Sequence, residues 1–195
     1  MQKDSDTPPA RFFGYGSLVN RATHDYPGAE PALLAGWRRV WVHTALRPVA
    51  FLSVEPAPGV AIAGLVAEVP RGDWAALDAR EYAYRRHAVT AAAHPCGSGI
   101  AAQVYAVPQP QSASPSQTHP ILLSYLDAVV QGFLREFGPA GAADFFATTA
   151  GWDAPVLDDR AAPRYPRAQP LSRAETGLVD RLLADHGVWR LSGES

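Results

Sequence analysis

Phe12-Phe13-Gly14-Tyr15-Gly16-Ser17-Leu18 decides how the rest of this chain is read. An apolar stretch from Arg11 to Tyr15 reads as a buried first strand, and it runs straight into a tight Gly-Tyr-Gly-Ser turn. Glycine permits positive φ and close backbone approach, and consecutive amides in such a turn form a concavity that favours negative charge. The loop Tyr15, Gly16, Ser17, Leu18 is therefore a candidate site for an anionic or carbonyl-bearing group. A dinucleotide fingerprint would need a third glycine where Val19 stands, followed by a long helix that Asn20, Pro27 and Gly28 discourage. A plain strand-to-loop turn is the alternative.

Outward from that loop, strand signals dominate. Residues 18–29 read as an irregular connection. Pro31 to Thr44 suits strands broken near Gly36. Val49 to Val54 and Val60 to Val69 read as two strands split by Pro56-Ala57-Pro58-Gly59, and His87 to Ala93 with Ile100 to Val107 as a strand pair around Pro95-Cys96-Gly97-Ser98-Gly99. Between them, Gly72 to Ala83 fits a short helix with Asp73 as N-cap. Pro108 to Pro120 is rich in Pro, Gln and Ser and reads as a flexible loop. The period then becomes helical. Ile121, Leu122, Tyr125, Leu126, Val129, Val130, Phe133, Leu134 and Phe137 recur at three- and four-residue spacing until Gly138-Pro139. Ala140 to Thr149 reads as a second helix. Residues 151–170 read as irregular. Ser172 to His186 is a third helix, with Glu175 at capping-box spacing from Ser172 and Gly187 as its stop. Strands first and helices after predict an α+β domain over 11–195: a mixed or mostly antiparallel sheet or small barrel over 11–107, the flexible loop at 108–120, and a mainly helical part over 121–195.

Composition narrows the function classes. The 195 residues are 47% apolar and 18% charged, with a formal net charge of -2. No Lys/Arg run exists, Lys3 being the one lysine, so a nucleic-acid partner is not expected. No apolar run of about 20 residues exists, so no membrane span is expected. The polar lead at 1–10 reads as disordered and lacks an apolar signal segment. Cys96 is the single cysteine, so no intramolecular disulfide forms. A soluble cytoplasmic protein is the expectation.

Leu77-Asp78-Ala79-Arg80-Glu81 holds the candidate acid–base group. Asp78 and Glu81 are three apart on one helix face, and Glu81 sits near the C-terminal end, where the helix dipole disfavours a carboxylate. Among Tyr82, Tyr84 and apolar strands its pKa could rise, which suits a group that must both accept and donate a proton near neutrality. The alternative is a surface ion pair of Glu81 with Arg85. His94-Pro95-Cys96-Gly97-Ser98 could hold a thiol nucleophile or metal ligand, but one Cys and one His complete no zinc site, and a hairpin turn accounts for it.

The loop and the glutamate in this order resemble the γ-glutamylcyclotransferase-like superfamily, with its ChaC-type, γ-glutamylamine and AIG2-like branches. Three further segments carry the likeness over about residues 11–107: Leu34-Ala35-Gly36-Trp37-Arg38, Ala63-Gly64-Leu65-Val66-Ala67-Glu68-Val69, and Tyr84-Arg85-Arg86-His87-Ala88-Val89. The resemblance implies a compact β-barrel flanked by helices, working without metal or cofactor. It implies cyclisation of a γ-glutamyl substrate to 5-oxoproline, with Glu81 as acid–base group, the loop as carbonyl or carboxylate cradle, and Tyr84 (or Tyr82) in the place of the family tyrosine. A related cyclising or hydrolytic enzyme and a non-catalytic carboxylate-binding module stay open beside it. Trp152, Arg160, Arg164, Tyr165 and Arg167 could cap the pocket; a solvated tail is the other reading of Pro163 to Arg167. Pairing of tryptophan-rich strands could make a homodimer, although Trp37, Trp41 and Trp74 serve equally well as core residues.

Overall fold

The computed structural model describes residues 9–109 and 118–192. Most of the polar lead and most of the 108–120 loop lie outside the described residues. Five strands close into a mixed barrel: β1 (Arg11–Gly14), β2 (Glu30–Thr44), β3 (Arg47–Glu68), β4 (Arg85–Ala93) and β5 (Gly99–Ala106). The ring runs β3-β1-β5-β4-β2 and returns from β2 to β3. β1 pairs antiparallel with β3 and parallel with β5, and the other pairs in the ring are antiparallel. Closure leaves the barrel without the exposed strand edges of an open sheet.

Two breaks expected in the sequence are bulges in continuous strands. β2 and β3 form one long ribbon whose register shifts between Ala35 and Trp37, so Gly36 and the Pro56–Gly59 stretch distort the ladder instead of ending it. Gly36 and Gly59 both take positive φ there, at 79° and 84°. A bulge of this kind bends a strand and tightens its twist, which is what closing so small a barrel requires.

Helix α1 (Ala75–Arg80) joins β3 to β4. Asp73 Oδ1 accepts from the Ala75 amide (3.0 Å), so the expected cap acts on the first turn, although Trp74 stands between. After β6 (Ile121–Leu122) comes α2 (Leu123–Ala147), two helical stretches joined at Gly138 (φ 70°) and Pro139, where the sequence placed the stop. Then follow β7 (Thr149–Ala150), β8 (Val156–Asp158), α3 (Arg173–Asp185) and β9 (Arg190–Ser192). β7 extends the barrel sheet beside β2, while β6, β8 and β9 make a small parallel sheet of their own. The Ser172–Glu175 capping box is complete on both sides, and Gly187 takes a φ of 62°.

One apolar core fills the barrel and continues under α2. Phe13, Leu34, Trp41, Ile62 and Leu65 meet Leu126, Val129, Phe133, Phe145 and Phe146. Trp41 is fully buried, Trp37 packs partly buried against this core, and Trp74 against a smaller apolar cluster around Phe12, Leu18 and Leu77. Trp152 does not cap a pocket: its ring stacks on Phe146 at 4.7 Å inside this core. Arg160 is likewise drawn away, its guanidinium pairing with Asp127 (2.7 Å) and Asp180 (2.7 Å) between α2 and α3. Among the described residues no helix is long and apolar enough to cross a membrane.

Candidate active site

The Gly-Tyr-Gly-Ser loop is held rigid by contacts on every side. β1 ends at Gly14, and Ser17–Val19 folds into a single 3₁₀ turn with Gly16 at its start. Val19 N–H donates to Gly16 O (2.9 Å) and Asn20 N–H to Ser17 O (3.0 Å). The amides of Ser17 and Leu18 begin that turn and so have no acceptor within it, the usual state of a helical start. Asn20, read in the sequence only as a helix breaker, fastens the loop. It is 1% exposed, its Oδ1 accepts from Ala22 N–H, and its Nδ2 donates to Ala128 O (2.8 Å) and Gln131 Oε1 (2.9 Å) on α2. Gly132 lets the helix come this close, since a Cβ there would lie 2.7 Å from the Asn20 nitrogen.

Beneath the loop lies Arg39, fully buried and absent from the sequence reading, which singled out Arg38. Arg38 sits at the surface, paired with Glu55. The β alternation turns its neighbour inward. Arg39 Nε donates to Tyr15 O (2.9 Å), its Nη1 to Thr148 Oγ1 (2.8 Å) and its Nη2 to Ala63 O. Its guanidinium also lies over the Phe133 and Phe145 rings, at 4.7 and 5.2 Å. Burial pulls its pKa down to about 9. One side chain thus ties the loop, β3 and the end of α2 together.

Glu81 is the C-cap of α1, with φ -99° and ψ 35°. Its side chain is only 17% exposed and pairs with Arg80 (3.2 Å), not with Arg85. Arg80 reaches onward to Thr23 O (3.1 Å) and Ser17 Oγ (3.4 Å), so it bridges glutamate and loop. Burial raises the Glu81 pKa above the ordinary carboxylate value, with Arg80 and Arg167 pulling the other way. Asp78 is engaged elsewhere: Tyr105 donates to it (2.6 Å) and Arg86 pairs with it (3.1 Å).

Tyr15, Tyr84 and Tyr125, with Tyr105 behind them, complete the surroundings. Tyr15 donates to Tyr105 O (2.7 Å), and Tyr84 to Leu52 O (2.9 Å). Tyr125 comes from α2: a Cβ on Gly16 would lie 2.7 Å from its hydroxyl. Burial raises the phenols of Tyr15, Tyr84 and Tyr125 above their ordinary value, so they are neutral near pH 7. Tyr82 is half exposed, with Arg47 over its ring at 5.2 Å.

These groups share one concavity. An inner recess is lined by Tyr15, Gly16, Ser17, Leu18, Glu81, Tyr84 and Tyr125. It adjoins a cavity of about 200 Å³ that shares Ser17, Glu81, Tyr84 and Tyr125 and adds Tyr82, Arg47 and the stretch Arg164 to Arg167. Leu18 offers the recess its backbone, its side chain being packed with Phe12 and Leu77. Sequence reasoning missed Tyr125, although a tyrosine on an otherwise apolar helix face needs a partner for its hydroxyl. Cys96 is exposed in the β4–β5 turn, away from this lining. Among the described residues no group of three or more His, Cys, Asp or Glu could hold a metal ion.

A solved structure described as gamma-glutamyl cyclotransferase superposes with a TM-score of 0.58 at 15% identity, over 89% of this chain and 99% of its own. An uncharacterized protein from Homo sapiens gives 0.58 at 16% identity, with the same coverage of 89% and 99%. YkqA from Bacillus subtilis gives 0.57 at 20% identity, over 71% of this chain and 53% of its own. These are likenesses of fold. No curated protein matches the sequence. Residues 12–124, which run from β1 to the start of α2, match the family described as gamma-glutamyl cyclotransferase, AIG2-like. The chain belongs to that family.

Proposed function

We propose that this protein is a γ-glutamylcyclotransferase, closing a γ-glutamyl group to 5-oxoproline and releasing the amine, amino acid or peptide attached to it. The observation that carries the reading is the placement of Glu81. A buried carboxylate with a raised pKa opens into the same recess as the amide-bearing loop Tyr15 to Leu18.

The reaction asks little else of the protein. Nucleophile and electrophile belong to one substrate, so binding the glutamyl chain in a folded pose supplies most of the proximity advantage. Glu81 takes a proton from the α-ammonium. The freed amine attacks the γ-carbonyl carbon and the tetrahedral oxyanion forms; the bond to the leaving nitrogen breaks as Glu81 returns the proton to it, and the second proton of the new ring nitrogen then passes through Glu81 to the released amine. One carboxylate with a pKa nearer neutrality can do these transfers. Amides of the loop, with the neutral hydroxyl of Tyr125, supply donors for the oxyanion or the substrate α-carboxylate. Arg80 keeps Glu81 oriented toward the loop.

The test is 5-oxoproline release from glutathione, γ-glutamyl amino acids and a γ-glutamyl amine, by the wild type and Glu81→Gln. Wild-type release with a loss of about 10²- to 10⁴-fold in the variant is expected, the usual contribution of a general acid–base group. Equal turnover by both proteins removes Glu81 from the mechanism.

A further inference from the structure

The charge around the outer cavity is lopsided. Its lining carries Arg47, Arg80, Arg164 and Arg167 against one carboxylate, Glu81. Arg80 is committed to Glu81 and the loop. Arg47, Arg164 and Arg167 form no ion pair with a carboxylate among the described residues, although the charge of Arg167 is felt by Glu81. A γ-glutamyl group brings a single α-carboxylate, and the inner recess already offers it loop amides and the neutral Tyr125 hydroxyl. The remaining cations line the outer cavity and not the inner recess.

The backbone that carries two of them is pinned. Buried Asp159 accepts from Ser124 N–H (2.8 Å), Ser124 Oγ (2.6 Å) and the Arg164 amide (2.9 Å). Ser124 Oγ in turn accepts from the Tyr165 amide (3.2 Å), and Gln131 Nε2 donates to Pro170 O (3.0 Å). Tyr165 packs edge-on against Tyr125 at 5.0 Å. Residues 164–167 therefore form a strap fixed to the start of α2, and its two arginines are presented to the cavity from a preset position. Such preset cations lose less freedom on binding an anion than mobile ones do.

We propose that Arg164 and Arg167 recognise a carboxylate on the leaving group, so that the preferred substrate is a γ-glutamyl amino acid or peptide and not a γ-glutamyl derivative of a simple amine. This rests on the cyclotransferase reading and assigns substrate choice to a segment beyond the residues that match the family. Arginine suits the task, since its planar fork pairs with both carboxylate oxygens.

The experiment compares γ-glutamyl-alanine with γ-glutamyl-ethylamine, which differ in the leaving-group carboxylate, on the wild type and on Arg164→Gln/Arg167→Gln. The wild type favours the alanine compound, and the ratio of the two kcat/KM values falls about tenfold in the double variant, as expected for loss of a charge-assisted pair. An unchanged ratio overturns the proposal. So does an equal loss on both compounds, which places the arginines on the shared glutamyl carboxylate. If neither compound yields 5-oxoproline, the cyclotransferase reading fails for them, and calorimetric binding of the same two compounds decides the arginines by themselves. A preference for the alanine compound that the double variant loses supports the pair, and equal binding overturns it.

Discussion

The two sides of the cavity are built differently. On the barrel side, the Tyr15–Leu18 loop, Arg80, Glu81 and Tyr84 are packed and hydrogen-bonded within the fold. On the strap side, Arg164 and Arg167 project from a fixed backbone with exposed side chains. The first arrangement suits proton transfer, which needs a carboxylate kept from water and held in one place. The second suits selection, which needs a charge accessible to the substrate. On the proposed reading, the barrel and the start of α2 carry the reacting groups, and the strap beyond them selects what enters.

The strongest way to break that division is to loosen the barrel side from below. In Arg39→Met the carbonyls of Tyr15 and Ala63 lose their donor. An orphaned buried acceptor costs about 1–3 kcal/mol, partly offset by relief of the buried charge, so a net loss of about 2–3 kcal/mol is expected in urea unfolding. Turnover should fall with it, because the loop rests on this guanidinium.

Loosening the strap should act elsewhere. Asp159→Ala removes an acceptor for two amides, those of Ser124 at the start of α2 and of Arg164. The expected cost is about 1–2 kcal/mol, in the range of a lost helix cap. Steady-state kinetics should show KM raised more than kcat is lowered. A fall in kcat alone would erase the distinction between the two sides.

The smallest effect sharpens the barrel side. The folded-state pKa of Glu81 is raised above its unfolded value by burial. In acid, below the unfolded pKa, the group is protonated in both states and contributes no difference. As pH rises toward the folded pKa the unfolded state ionises first, so Glu81 becomes destabilising and stays so above it. Glu81→Gln should therefore raise the thermal midpoint slightly near neutral pH and leave it unchanged in acid. A shift in the opposite sense would mean that the Arg80 pair outweighs burial.

Much of this was legible locally. The strand into the glycine loop, the Asp73 cap, the Gly138-Pro139 stop and the Ser172–Glu175 box are decided by residues a few positions apart. Bulges were harder. Gly36 and Gly59 look like strand ends in one dimension, and only pairing across the ribbon shows the ladder resuming beyond them. The buried Arg39 went unread because alternation has no fixed phase across an irregular strand. Tyr125 and the strap arginines reach the cavity from more than forty positions beyond Glu81, through a path set by the packing of α2. No local pattern encodes that path, and a Pro- and Arg-rich stretch reads equally well as solvated chain.

The central claim is that the substrate's own amine, and not water, attacks the γ-carbonyl. The most direct measurement is turnover of a γ-glutamyl amino acid in oxygen-18 water, with the product identified by mass spectrometry. The account predicts 5-oxoproline carrying no solvent oxygen. Glutamate with labelled oxygen in its γ-carboxylate would contradict it and make the protein a hydrolase.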